Sequence, residues 1–508
     1  MSPKDPGAAP ESIDSSIDAG PPAGAVRRGA KASAVVMIVT QGVSFVQTLI
    51  LARLLTPAEV GLFAAGTVLA GLLLTFSEGG MRNALVQRER DVAVAAETVF
   101  WASLGSSIVW AAVTAASAPI VAWLFDSPTA GLITAITAGT IVLHALTYVP
   151  DALMQRRIDV RQRLVVPPAI AFGFAVTSVA FALAGFGVWA LVIGSYVQHL
   201  AWILASWSLA GWRPRRAPFR YSVWRELSSF AFPLVLSGLV DRGRELAETA
   251  LVGRQLSQTA LGHYRYGKRL ATLPGTAVIE IFSYVLFPTF SRIGRDAVQF
   301  RATFLRMLEL IWCASCPLAG LIVVIGEPAV VLLLGEQWRG AGVAVVAMAG
   351  FGPGVAMNAV GIEAIKGFGR SRLVNWLTLT SVVTGVGLLV VLLPLGLVGV
   401  GLAISIESLL CGVLALLLAR GIVDVSVRDL AKCLVPSMLA TLLAMAAVGV
   451  LEHFLQSEQY PPLFAAVLLI GETMAFGVVF AVAMFAIVPA RAATISSAIT
   501  DFVRPGQR

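Results

Sequence analysis

The chain has 508 residues, of which 57% are hydrophobic and only 13% charged. A soluble domain of this size carries about twice that charged fraction. The apolar residues also come in blocks of about 20, the length that crosses a hydrocarbon core at 1.5 Å per residue, so the composition excludes a soluble enzyme and defines a polytopic helical membrane protein.

In chain order, residues 1–26 are rich in Pro, Gly, Ala, Ser and Asp and have no large apolar cluster. They are expected to be a disordered cytoplasmic segment. The first apolar run follows Arg27, Arg28 and Lys31 and spans a full membrane width, so it reads as helix 1 and not as a signal peptide. Fourteen spans are expected, near 30–51, 58–79, 94–118, 130–151, 164–184, 187–209, 227–250, 258–288, 303–325, 340–362, 372–393, 396–419, 431–450 and 463–488. They divide into an N-terminal bundle (27–209, six helices), a basic linker (210–226), a C-terminal bundle (227–420, six helices), a helix pair (421–490) and a tail (491–508). Every connection is short, which leaves no room for a soluble catalytic domain.

Lys and Arg alternate sharply between successive loops. With the N-terminus in the cytoplasm, 27 fall in cytoplasmic segments and three, Arg53, Arg254 and Arg339, fall outside. Both termini are therefore expected in the cytoplasm. The net charge of +8 is mostly this topology and calls for no nucleic-acid partner.

An internal repeat is legible. "LARLLTPAEVGLF" (51–63) aligns with "VGRQLSQTALGHY" (252–264) at an offset of 201, matching Arg53 with Arg254 and Gly61 with Gly262. Further on the offset becomes 209: "APIVAWLF" (118–125) meets "EPAVVLLL" (327–334), and "RQRLV" (161–165) meets "RSRLV" (370–374). Helices 1–6 thus repeat as 7–12 in parallel, the plan of two-bundle transporters with a site between the halves.

The second copy departs from the first in one respect. Between Asp241 and Arg269 it carries Asp241, Arg242, Arg244, Glu245, Glu248, Arg254, Arg265, Lys268 and Arg269, where the first copy (40–68) has one Arg and one Glu. Apart from Arg254 at the turn, these groups lie roughly 15–20 Å from the outer surface, near mid-membrane. A charge there costs about 2.5–3.5 kcal/mol on the lenient insertion scale, so the groups must line water or pair with one another. Arg265, Lys268 and Arg269 share a helix face and are expected to leave three positive charges in excess. With Arg242 and Arg244 they form the candidate substrate-binding set, a cationic cavity floor for an anion, since the Arg fork grips phosphate at two points. Asp241, Glu245 and Glu248 are candidates for charge balance or ion coupling. Gln41, Ser44 and Gln47 on helix 1 line the cavity or bond across helices. Glu280, Glu309, Glu363, Glu407 and Glu472 are further buried acids without a rank, and "GFGPG" (350–354) is expected to break or kink helix 10. The four cysteines, including the CxxC pair Cys313 and Cys316, lack a completing ligand set and read as small buried residues; no metal site and no cofactor is expected.

"LARLLTPAEVGLF", "GVWALVIGSYV", "ALVGRQLSQTALGHYRYGKRLATLP", "VLFPTFSRIGRD" and "LLGEQW" resemble, in this order, the polysaccharide-transporter branch of the MOP exporter superfamily, the Wzx-type flippases of bacterial O-antigen, capsule and exopolysaccharide pathways. The resemblance runs from about 28 to 490. It implies an all-α, MATE-like fold of two six-helix bundles plus two C-terminal helices in the bacterial inner membrane. It also implies movement of an undecaprenyl-diphosphate-linked oligosaccharide between leaflets without ATP hydrolysis, alongside a polysaccharide polymerase and a chain-length regulator. Within the superfamily, a multidrug antiporter would favour an acidic cavity for cations, and a lipid II flippase shares the need for a cationic one. A membrane polymerase or ligase would need a long outer loop, which is missing.

Overall fold

A computed structural model describes residues 23–157, 159–215, 219–293, 297–370 and 372–489. The expected disordered segment and the tail therefore lie almost wholly outside the described residues. The first half contains α1 (Ala23–Leu54), α2 (Pro57–Glu78), α3 (Met81–Gln87), α4 (Val92–Ala116), α5 (Ala118–Leu124), α6 (Pro128–Thr137), α7 (Gly139–Ala145), α8 (Tyr148–Arg156), α9 (Val160–Leu183) and α10 (Val188–Ala210). The second contains α11 (Tyr221–Gln255), α12 (Gln258–Ile293), α13 (Ala297–Leu334), α14 (Arg339–Ala347), α15 (Phe351–Gly367), α16 (Arg372–Leu392) and α17 (Gly396–Val423), followed by the pair α18 (Val427–Leu455) and α19 (Pro462–Ile487). No strand occurs among the described residues. Helix α1 starts at Ala23, inside the segment expected to be disordered.

Eleven stretches of the described residues are long and apolar enough to span a membrane. One of them, Arg372–Val423, holds both α16 and α17, parted by a 3-10 turn and by Gly396 at φ +69°. Helices α11 and α12, at 35 and 36 residues, are also long enough to span a membrane. Adding these two and dividing the long stretch is consistent with fourteen spans. Large apolar side chains such as Leu204, Val176, Ile470 and Leu463 point outward on the spanning helices, as a lipid-facing surface requires.

Where lipid tails are as apolar as leucine, helices gain by close approach of small residues. A Cβ on Gly354 would sit 2.4 Å from the Ser408 backbone, and one on Gly361 2.8 Å from Ala415, so α15 and α17 are in near backbone contact. Spans 4 and 10 are both interrupted: span 4 between α6 and α7 at Ala138, span 10 at Met348–Gly350. The "GFGPG" stretch thus breaks its helix, and Pro353 falls in the first turn of α15. The freed carbonyls find hydroxyl donors at matching repeat positions. Tyr196 on α10 donates to the Ile136 carbonyl, and Ser405 on α17 donates to the Ala347 carbonyl at 2.7 Å. These two residues are 209 apart (405 − 196), the repeat offset, so each half satisfies its broken helix with its last one.

Candidate functional site

The end of the molecule poor in Lys and Arg is sealed by contacts that obey the repeat. Thr56 accepts from the Glu59 backbone while Glu59 accepts from the Thr56 backbone, which caps α2 and starts it sharply. Ser257 caps α12 with one half of that arrangement, accepting from the Ala260 backbone at 3.0 Å. The two first turns then cross so closely that a Cβ on Gly61 would lie 1.8 Å from the Gln258 carbonyl oxygen, and one on Gly262 1.9 Å from that of Pro57. Only glycine fits at either position. Arg53 donates to the Leu332 carbonyl at 2.6 Å, at the C-terminus of α13; Arg254 donates to the Trp123 carbonyl at 3.1 Å, at the C-terminus of α5, with its guanidinium 5.5 Å over the indole. Each repeat arginine thus caps the carbonyl end of a helix in the opposite half. Trp338, fully buried, adds a bond from its indole nitrogen to the Ala52 carbonyl at 2.7 Å.

Deeper in, the charged groups of α11 and α12 meet as their depth requires. Glu248 is the hub. It accepts from Arg244 at 2.9 Å, from the Tyr264 hydroxyl at 2.6 Å and from Lys268, whose ammonium also reaches Tyr264 at 3.0 Å. Arg244 continues to α17 and α16, pairing with Glu407 at 2.9 Å and donating to Ser381 at 3.0 Å. The Glu248 and Glu407 side chains are 7% and 6% exposed, so this is a desolvated network that stands because every member is paired. Glu245 forms a second, more open cluster, with Arg242 at 2.8 Å and Arg265 at 3.0 Å. Arg242 and Arg265 keep 50% and 37% of their side-chain surface exposed.

Arg269 differs from the rest. It is exposed, and its one described bond goes to the Ser44 carbonyl of α1 at 3.3 Å, across to the opposite half. Here the repeat symmetry breaks. Among the described residues, helix α2 packs along both α11 and α12, whereas α1 packs along α9 and has no comparable packing against α12. Arg269 stands at that gap.

The charge balance is tighter than the sequence implies. Glu407 joins from α17, so five cations (Arg242, Arg244, Arg265, Lys268, Arg269) face four carboxylates (Asp241, Glu245, Glu248, Glu407). Arg244 and Lys268 are committed to internal pairs; Arg242, Arg265 and Arg269 present free surface. Asp241 is exposed. Gln47 is buried and donates to Ser178 at 3.3 Å, tying α1 to α9, while Gln41 is exposed. Sequence reasoning missed Tyr264 and Ser381 and left Glu407 unranked. A depth signal for Glu407 was available: it lies 11 residues into α17 (407 − 396), as Arg244 lies 11 from the end of α11 (255 − 244). Of the other acids, Glu363 pairs with Lys366 at 2.9 Å, Glu309 lies on α13, Glu472 is buried on α19, and the Glu280 side chain is outside the described residues. Cys316 is buried and Cys313 half-buried on α13.

Two helical halves joined at a sealed end, with a charged cluster beneath it, define a multi-pass helical membrane protein. Residues 50–342, more than half of the chain, match the family described as "Polysaccharide biosynthesis protein", and the chain belongs to that family. It is 27% identical over 351 residues to the succinoglycan biosynthesis transport protein ExoT of Rhizobium meliloti, covering 68% of this chain and 70% of that one. It is 25% identical to the lipopolysaccharide biosynthesis protein WzxC of Escherichia coli, over 61% of this chain and 63% of that one. In fold it is similar to the lipid II flippase MurJ in an inward closed conformation, with a TM-score of 0.72 at 13% identity over 89% of this chain and 98% of that one. An inward-facing MATE-family multidrug transporter of the MOP superfamily follows at 0.60, with 14% identity over 77% and 98%.

Proposed function

We propose that the protein moves an undecaprenyl-diphosphate-linked oligosaccharide from the cytoplasmic to the outer leaflet of a bacterial inner membrane, by alternating access and for assembly of a surface polysaccharide. The observation that carries this reading is the row of Arg242 and Arg269, exposed, and Arg265, half-buried, present in one repeat only. Glu245 and Glu248 hold α11 and α12 together, so the row is fixed before substrate arrives, and fixed guanidinium forks suit a diphosphate. A lipid-anchored substrate cannot leave the bilayer plane to enter. The loose seam between α1 and α12 is a sideways route for it, leading past Arg269. The names of the relatives, a succinoglycan transport protein and a lipopolysaccharide biosynthesis protein, fit this cargo. The excess cation does not fit an organic-cation cargo.

In this reading both termini are cytoplasmic, and the sealed end faces outward. Alkaline phosphatase fused after Gln255 is then active and after Arg213 inactive; the reverse pattern inverts the assignment. For the cargo, cells carrying Arg265→Gln with Arg269→Gln at normal protein level are expected to accumulate lipid-linked repeat units and to export little polymer. Normal export with no accumulated precursor would overturn the cargo assignment. A polymerase and a chain-length regulator act on the product.

A further inference from the structure

Helices α18 and α19 stand outside the repeat, and α19 carries a single ionisable side chain, Glu472. It lies ten residues into the helix (472 − 462), about 15 Å along it and one turn beyond Leu469, which lines a cavity at that end. The residue is 1% exposed, and neither carboxylate oxygen meets a hydrogen-bond donor. The group facing it is another carboxyl, Glu452 of α18, at hydrogen-bonding range. Glu452 is well supplied with donors: the Ser457 hydroxyl reaches it at 2.8 Å and the Ser457 amide at 3.4 Å. Among the described residues no cation joins the pair. His453 turns to the exposed side against Phe454, α13 presents Leu321 and Val324 at this level, and Glu327 further along α13 is engaged with Arg339 at 2.8 Å.

Two carboxylates in contact with no counter-ion in hydrocarbon repel each other and are both desolvated. One proton removes both penalties and creates a bond that two anions cannot make. Both Glu452 oxygens already accept from Ser457, whereas neither Glu472 oxygen meets a donor, so Glu472 is the one with a vacant oxygen to carry a proton. We propose that Glu472 is a proton-binding residue: as a neutral acid it donates its O–H to Glu452, and it exchanges that proton with the Lys/Arg-poor face. The route is visible. A cavity of about 180 Å³ opens at that end, lined by Arg53, Glu336, Ser457 and Tyr460 among others. Ser457 lines the cavity and bonds Glu452, which meets Glu472. The proton site therefore adjoins the place where Arg53 seals the two halves together.

The test needs no polysaccharide substrate, so its outcome is separate from that of the cargo assignment. Infrared spectra of the full-length protein in lipid nanodiscs at neutral pH are expected to show a protonated-carboxyl band that Glu472→Gln removes and Glu472→Asp retains. Gln matches Glu in shape and still bonds Glu452, so the variant folds. In parallel, thermal unfolding is followed as pH is raised. Between the ordinary carboxylate range and the pH at which the folded protein gives up the shared proton, wild type is expected to lose roughly tenfold in its folding equilibrium per pH unit, and Glu472→Gln is expected to lack that loss. An identical carboxyl band in wild type and Glu472→Gln, or the same pH profile in both, overturns the proposal. Stabilisation of wild type by sodium that is absent in Glu472→Gln would also overturn it, in favour of a metal-cation site.

Discussion

The hairpins α1–α2 and α11–α12 are copies of one another, and they differ where it matters. At the sealed end they are interchangeable: Arg53 and Arg254 cap opposite helices, and Gly61 and Gly262 receive each other's first turn. At mid-membrane the polar positions are kept but the charge is not. At the offset of 201, Gln41 matches Arg242, Ser44 matches Glu245 and Gln47 matches Glu248. In the first half, Gln47 ties helix 1 to helix 5 through Ser178; in the second, Arg244 ties helix 7 to helix 11 through Ser381. A neutral bond thus suffices to hold such helices together. The ions of the second half are surplus to that task, and the proposed site is built from that surplus.

The sharpest way to break this comparison is to remove the hub. Glu248→Leu leaves Arg244 and Lys268 short of a counter-charge in a desolvated place, and the expected loss is about 3–5 kcal/mol, read as a collapse in yield and in thermal stability of the purified protein. The corresponding Gln47→Leu in the first half should cost about 1 kcal/mol, the worth of one neutral bond. Equal losses would mean that the two hairpins are held in the same way. Second in size is the glycine crossing. Gly262→Ala forces two backbones apart and should cost about 1–3 kcal/mol of the sealed conformation. Cysteines placed at the sealed end should then react faster with a water-soluble thiol reagent, and an unchanged rate would remove the crossing from the seal. Gly61→Ala should behave alike. Smallest is the arginine pair. Arg53→Gln and Arg254→Gln should each weaken the seal by about 1 kcal/mol, and by similar amounts, in the same accessibility assay. A tenfold disparity would show that the pseudo-symmetry of the seal is only geometric.

Much of this was legible in the sequence. Apolar blocks gave the spans, loop charge gave their alternation, and the aligned Arg and Gly positions located the crossing helices. The depth of Arg242, Arg244, Arg265 and Lys268 placed them opposite each other before any coordinates. The sequence could not yield the pairing pattern. Lys268 and Arg269 are adjacent in the chain, yet a turn of 100° sends one into the Glu248 hub and the other into the gap toward α1. Glu407 comes from a helix 163 positions beyond Arg244, a contact that only the packing of α17 against α16 brings about. The breaks in spans 4 and 10 were half legible: Pro353 among glycines announced one, while the other has no proline at Ala138 and depends on a Tyr196 hydroxyl from α10.

Binding of the substrate itself tests the central claim most directly. A lipid-linked oligosaccharide diphosphate is titrated into the purified protein in nanodiscs, and Kd is compared among wild type, Arg265→Gln, Arg269→Gln and the control Arg53→Gln. A charge-assisted contact contributes about 1.5–3 kcal/mol, so each of the first two variants should bind roughly ten- to a hundredfold more weakly, Arg269→Gln at unchanged thermal stability and Arg265→Gln at a loss of about 1 kcal/mol from its pair with Glu245, with Arg53→Gln binding like wild type. Wild-type affinity in Arg265→Gln and Arg269→Gln alike would contradict the account and reduce the mid-membrane cations to a structural ion cluster.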